Sequence, residues 1–294
     1  MAWAPTLLSG LELWLDAATA GSVDGTPVAT WSDLSGCGHH VTQAAGARQP
    51  LWKANQQGGL PAVVFDGSND FMASAAYAFP TATATLFAIA FTPSTVGGSV
   101  VVFGPDSEAV SGFGLTLNGG GAGKLNASSV GNVGLSSFYS TTVPKLAWHL
   151  MGGIFDRTLA SGETTTNVDG VLTGSQISNL DNTDSTYGTK SWSVGAGSGG
   201  ARVGNVSIGE VVAYNRVLST IERQTVEGYL MWRWGLQALL PAGHPYQFFP
   251  PGSSGTDGPE DRLAANRRQD QLARLRDDEE CLEAVFRTFA TLCH

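Results

Sequence analysis

The sequence predicts an all-β protein, two antiparallel sheets packed as a sandwich, with one short packed helix and a C-terminal α-helical tail. Period-2 alternation recurs from Leu11 to Tyr214, the mark of half-buried strands. Glycine is unusually abundant, at 38 of 294 residues. Only 14 % of residues are charged, against about 25 % in an average chain. Such a composition suits short strands joined by many turns.

The first alternating segment is Leu11–Ala17, where Leu11, Leu13 and Leu15 point one way and Glu12, Trp14 and Asp16 the other. In Thr83–Phe91, Thr85, Phe87, Ile89 and Phe91 alternate with Leu86, Ala88 and Ala90. Both of its faces are apolar, which predicts a central strand covered on two sides. Pro61–Asp66, Val100–Phe103, Gly112–Leu117, Leu146–Phe155, Ser191–Val194 and Val206–Tyr214 complete the expected strands. Thr165–Val168 and Val171–Thr173 flank Asp169-Gly170, a pair suited to the positive φ angles of a two-residue hairpin turn.

One helix is marked by Ser219 with Glu222 three residues on, a capping box. Ile221, Thr225, Tyr229 and Trp232 fall on one stripe, and Gly235 sits where a helix stops. Trp14, Trp31, Trp232 and Trp234 lie in patterned elements and are expected in the core. Residues 1–251 are thus read as one domain.

After Pro251 the composition changes. Residues 252–259 read as a flexible linker. From Asp257 onward there are nine acidic and six basic residues. Over 260–294, Leu272, Leu275, Leu282, Phe286 and Phe289 follow heptad spacing with Glu279 in the gap. This predicts an amphipathic helix for self-association, as a trimer, or for docking, with Glu279 setting register.

A net charge of −9 argues against nucleic acid and anionic membrane surfaces as partners. No apolar run approaches the ~20 residues of a membrane helix, so no insertion is expected. Met1-Ala2-Trp3-Ala4-Pro5 has no basic or apolar signal pattern. Cys37, Cys281 and Cys293 are too scattered for a disulfide framework and are expected as free thiols.

Gly195–Gly200 formally matches a dinucleotide fingerprint, but strand-like sequence follows where a helix is required. Gly123-Lys124 is better read as a turn than a phosphate loop. Neither an HExxH pair nor a Gly-x-Ser-x-Gly elbow is present, which favours a non-enzymatic chain. Cys37-Gly38-His39-His40 lacks a fourth metal ligand at sensible spacing and reads as a surface loop. Within Asp66-Gly67-Ser68-Asn69-Asp70, the side chains of Asp66, Asn69 and Asp70 are candidate Ca²⁺ ligands. The alternative is a turn in which Asp and Asn bond their own backbone. Trp52, Tyr139, Tyr187 and Trp192 lie in or beside polar loops and are candidates for stacking on a sugar face.

Trp14-Leu15-Asp16-Ala17, Trp31-Ser32-Asp33-Leu34-Ser35-Gly36 with Gly38, and Gly59–Val63 running into Phe65-Asp66-Gly67 come in a characteristic order. So do Ile208–Val211, Tyr214-Asn215-Arg216, Leu218-Ser219, Glu222–Gln224, Glu227–Leu230, Trp232, Trp234-Gly235 and Leu240–Tyr246. Over about residues 7–250 the chain resembles concanavalin A-like, laminin G-like jelly-roll domains, in a version similar to modules of bacteriophage virion and bacterial surface proteins. Cys37 and His39 depart from it, standing where relatives often carry small residues and Asn.

The resemblance implies a non-enzymatic virion protein, a head decoration, fibre or small tail receptor-binding protein. It would contact other virion proteins through its tail helix and bind host or environmental glycans, with Ca²⁺ as an optional cofactor. A polysaccharide depolymerase or glycosidase on the same fold, or a plain carbohydrate-binding module, is the alternative.

Overall fold

A computed structural model describes residues 3–91, 99–104, 112–118, 124–131, 134–144, 146–159, 162–175, 187–197, 200 and 202–252. The chain begins with β1 (Leu11–Asp16), β2 (Thr30–Trp31), β3 (Val41–Thr42), β4 (Leu51–Gln57), β5 (Leu60–Asp66) and β6 (Met72–Ala73). Next come β7 (Tyr77–Phe79), β8 (Thr83–Phe91), β9 (Ser99–Gly104), β10 (Gly112–Asn118), β11 (Lys124–Gly131) and β12 (Gly134–Thr142). The last strands are β13 (Trp148–Asp156), β14 (Thr164–Val168), β15 (Val171–Ser175), β16 (Gly188–Lys190), β17 (Ser193–Val194) and β18 (Asn205–Tyr214), followed by α1 (Thr220–Arg233).

Among the described residues these strands form two large antiparallel sheets. The back sheet runs β15-β14-β13-β8-β18-β5-β4, with β1 also paired to β18. The front sheet runs β12-β11-β10-β9-β17-β6-β3-β2, and β7 pairs β16 apart from both. The expected all-β sandwich with one packed helix is present.

Between the sheets lies an apolar core that includes Leu13, Leu15, Trp31, Phe65, Leu86, Ala88, Phe113, Phe155 and Trp192. A second apolar cluster lies on the outer face of the back sheet. There Phe87 and Ile89 of β8 and Val212 and Tyr214 of β18 meet Val226, Leu230, Met231 and Trp234. Strand β8, between β13 and β18, is therefore covered on both sides, as its doubly apolar pattern predicted.

The helix shows where periodicity misled. Its buried positions include Val226, Leu230 and Met231, whereas Ile221 at the start of the expected stripe is 54 % exposed. The buried side also carries Glu227, which accepts from Asn167 and Arg223 and meets His244 Nε2 at 3.0 Å. Polar residues held in this way hide the buried face from a hydrophobicity count. The capping box itself is present: Ser219 Oγ accepts from Glu222 N–H, and Glu222 accepts from Ser219 N–H. Gly235 follows with φ 67°, a left-handed stop that glycine adopts without strain.

Two strand expectations shift locally. Leu11 belongs to the outer cluster rather than facing with Leu13 and Leu15. A register irregularity between Leu11 and Leu13 turns it over. Strand β13 begins at Trp148 instead of Leu146, whose φ of 58° is incompatible with extended backbone. The hairpin of β14 and β15 forms as expected, with Asp169 at φ 51° and Gly170 at φ 85°. The described part of the Gly195–Gly200 run precedes β18, a strand rather than the α-helix that a dinucleotide fingerprint requires. The linker 252–259 and the helix expected over 260–294, with Leu272, Leu275, Glu279, Leu282, Phe286 and Phe289, lie outside the described residues beyond Gly252.

Candidate functional site

The front sheet differs from the back sheet in what it turns outward. In the β10–β11 ladder, Gly114 is opposite Ser128 and Thr116 opposite Asn126. Their neighbours Phe113, Leu115, Leu117, Leu125 and Ala127 fill the core. Side chains alternate across a strand, so Gly114, Thr116, Asn126 and Ser128 form a strip on the outer face. Thr116 is only 6 % and Ser128 5 % exposed, which sinks the strip below the molecular surface. It opens at one end, where Asn126 is half-buried and Lys124 exposed.

The Asn126 side-chain oxygen is buried and, among the described residues, has no hydrogen-bond partner. Leaving such an acceptor unmet costs about 1–3 kcal/mol, which a hydroxyl-bearing ligand would recover. The sequence reading missed this strip. Alternation in Gly112–Leu117 was the available signal for Thr116, whereas the segment after Gly123-Lys124 is not among the expected strands.

The aromatic candidates come out differently. Trp52 is 9 % exposed, and Tyr187 and Trp192 are wholly buried. Trp52 Nε1 donates to the Ala17 carbonyl at 2.8 Å, and the Tyr187 hydroxyl lies 3.2 Å from Ser129 Oγ. These rings plug the core and offer no open face for a sugar. Large amphipathic rings with a polar tip are easily mistaken for surface residues when they sit beside loops. Tyr139 is in β12, opposite Asn126 in the ladder.

In the Asp66–Asp70 turn, Asp66 Oδ1 accepts from Ser68 N–H at 2.7 Å and from Asn69 N–H at 3.3 Å. Asp70 Oδ2 accepts from Asp66 N–H at 3.1 Å. Burial opposes the charge on Asp66, but the backbone N–H groups outweigh it and hold the carboxyl below its usual range. Burial pushes Asp70 the other way, upward. Both carboxylates are engaged by the turn's own backbone, the pattern of the self-bonded alternative.

The Cys37–His40 loop is also more ordered than its sequence suggested. Asp33 Oδ1 accepts from the N–H groups of Trp14 and Ser35, each at 2.9 Å. Its Oδ2 accepts from Ser35 Oγ at 2.7 Å and from His39 N–H at 2.9 Å. Asp33 thereby folds the loop back onto β1. There Glu12, Cys37 and His39 bring one donor atom each to within 4.8 Å of one another.

His39 Nε2 is 3.6 Å from Glu12 Oε2. The other Glu12 oxygen accepts from Asn215 Nδ2 at 2.6 Å. Tyr77 stacks on the His39 ring at 3.7 Å and 24°. Burial pushes the Glu12 carboxyl up, against the pull of Asn215 and His39. Burial likewise raises the Cys37 thiol, and the nearby Glu12 and Asp33 charges add to the rise. Glu12 was invisible as a member because it lies on β1, far from the loop in sequence. His40 is not a member, since its Nδ1 accepts from Asp33 N–H at 2.9 Å.

A further polar cluster lies under α1, around the fully buried Glu210. Glu210 accepts from the Trp14 and Trp234 indoles at 2.8 Å each and from the Tyr229 hydroxyl at 3.3 Å. Arg233 lies 3.1 Å from it and also pairs with Asp16. Burial pushes the Glu210 carboxyl up to about 7, against the pull of Arg233.

No protein-family model and no curated protein sequence matches the chain. Solved structures do. The receptor-binding domain of botulinum neurotoxin D aligns with a TM-score of 0.56 at 13 % identity, covering 79 % of this chain and 56 % of that one. The same domain of the C/D mosaic serotype gives 0.56 and 13 %, covering 77 % and 54 %. A Trypanosoma rangeli sialidase complex gives 0.50 and 16 %, covering 75 % of this chain and 32 % of the sialidase. The chain thus spans about half the length of the toxin domains and a third of the sialidase. At such identities the likeness concerns the fold alone, an antiparallel β-sandwich.

Proposed function

We propose that this chain is a non-enzymatic carbohydrate-binding sandwich, with the outer strip of the front sheet as its glycan floor. The observation that carries the reading is the buried, unpartnered oxygen of Asn126 beside Thr116, Ser128 and Gly114. Sugars present many hydroxyl donors, and short polar residues let a flat ring approach the sheet closely. Receptor binding is what the toxin domains' names state for those proteins, and it suits the same use of the fold here.

A glycan array probed with the full chain, with and without Ca²⁺, tests this. We expect binding that persists without calcium and is lost in Asn126→Ala. Absence of any glycan bound, or undiminished binding by the variant, overturns the assignment. Release of shorter saccharides from a bound polysaccharide would replace it with the glycosidase reading.

We place this module on a phage particle, displayed outward by the segment 260–294 as a trimer or docked into other virion proteins. The support is the motif resemblance and the heptad spacing of Leu272, Leu275, Leu282, Phe286 and Phe289. Deleting residues 258–294 is expected to convert an oligomer to a monomer in light scattering. An unchanged mass overturns the role of the tail.

A further inference from the structure

We propose that Glu12, Cys37 and His39 form a binding site for a divalent transition metal of the zinc class, with one coordination position left open. The site stands apart from the glycan strip and does not depend on it. The donors are one carboxylate oxygen, one imidazole nitrogen and one thiol sulfur. This mixed set suits Zn²⁺, whereas Ca²⁺ and Mg²⁺ select oxygen alone. Three protein donors with a vacant fourth position are the arrangement in which zinc carries a water or an external donor.

The geometry is close to what the ion needs. Tetrahedral bonds of about 2.0–2.3 Å place neighbouring donors roughly 3.3–3.6 Å apart. The His39–Glu12 separation of 3.6 Å already meets this. With all three donor atoms inside 4.8 Å, the thiol needs to move by roughly 1 Å at most. Cys37 is exposed and flanked by Gly36 and Gly38, both at positive φ. Its sulfur lies 3.4 Å from the Leu11 carbonyl oxygen, a weak contact, so the move costs little.

The surroundings hold the donors as a metal site requires. Asn215 fixes the second Glu12 oxygen. Asp33 holds the His39 backbone, and the Tyr77 ring holds the imidazole face. Partners of this kind orient ligands and sharpen affinity. The bound ion would tie the Asp33–His40 loop to β1. Binding requires the thiolate, so the Cys37 proton leaves to solvent as the sulfur–metal bond forms.

Co²⁺ titrated into the chelator-treated full chain, in a non-thiol reducing buffer, tests the assignment. One equivalent is expected to produce tetrahedral visible absorption together with a thiolate-to-cobalt charge-transfer band. Zn²⁺ should bleach both. The band should vanish in Cys37→Ser and persist in the Cys281→Ser, Cys293→Ser double variant, which separates this site from the other two thiols. Asn215→Ala, which removes no ligand, should weaken Co²⁺ about 10- to 100-fold. A Cys37→Ser chain that melts like the wild type without metal shows that the fold is intact. Absence of a charge-transfer band, or a band that survives Cys37→Ser, overturns the proposal.

Discussion

The back sheet is apolar on both faces, while the described strip of the front sheet is apolar only toward the core. Outward residues Phe87, Ile89, Val212 and Tyr214 make the back sheet sticky on its outer side, and α1 with Trp234 covers them. Outward residues Gly114, Thr116, Asn126 and Ser128 give this part of the front sheet nothing that needs covering by a helix. One sheet therefore serves as scaffold, buried like the sheets of α/β proteins. The other carries a recessed polar strip that opens only toward Asn126 and Lys124, and the proposed glycan floor is placed there.

Truncation on the covered side tests this contrast most strongly. Leu230→Ala removes a fully buried side chain from the apolar cluster between α1 and the back sheet. Core truncations of this kind cost about 2–5 kcal/mol. Denaturant melts should show the midpoint falling by that amount with the slope unchanged. A loss below about 1 kcal/mol would mean that α1 only rests on the sheet.

The same covered side carries a pH signature. Glu210 titrates near 7 in the folded protein, above its ordinary value of 4.5. The folded state therefore binds a proton that the unfolded chain has released between those values. Its contribution to stability is complete below pH 4.5 and is lost as pH rises through about 7. Glu222 at the start of α1 moves the opposite way. Hydrogen bonds from Arg216 hold it near 2, so its contribution is present above 4.5 and lost as pH falls. The melting temperature should drop between pH 5 and pH 8, and less so in Glu210→Gln. An equal drop in that variant would assign the effect elsewhere.

How much of this was legible in the sequence follows the same division. The doubly apolar β8, the Asp169-Gly170 hairpin and the Ser219 capping box could be read directly, because each rests on residues adjacent in sequence. Trp52, Tyr187 and Trp192 could not, because burial depends on strands far away in the chain. Glu12 joined Cys37 and His39 only once β1 and the Asp33 loop were brought together by Asp33. Asn126 was missed because β11 is not among the expected strands: its alternation, Asn126 and Ser128 against Leu125 and Ala127, is broken by Ser129.

A smaller effect tests the lid itself. Ser219→Ala removes the cap whose oxygen accepts from Glu222 N–H. Loss of such a cap costs about 0.5–2 kcal/mol. The helix should still form, because its packing on the sheet supplies most of its stability. Far-ultraviolet circular dichroism should be unchanged while the melting temperature falls. A large loss of helical signal would show that the cap, and not the apolar contact, holds α1.

The smallest expected effect on stability falls on the displayed side, at Asn126. Its buried oxygen lacks a partner, so the folded state carries a desolvation penalty that nothing in the described protein offsets. Asn126→Ala removes the penalty along with the group. Stability should stay within about 0.5 kcal/mol of the parent, or rise. A residue that costs stability where it stands and can be removed without loss is held there for something other than folding. Equilibrium melts paired with the array measurement separate the outcomes: unchanged melting with lost glycan binding places the ligand on this strip. A loss of several kcal/mol would instead make Asn126 a structural residue and close this face of the front sheet as a binding surface.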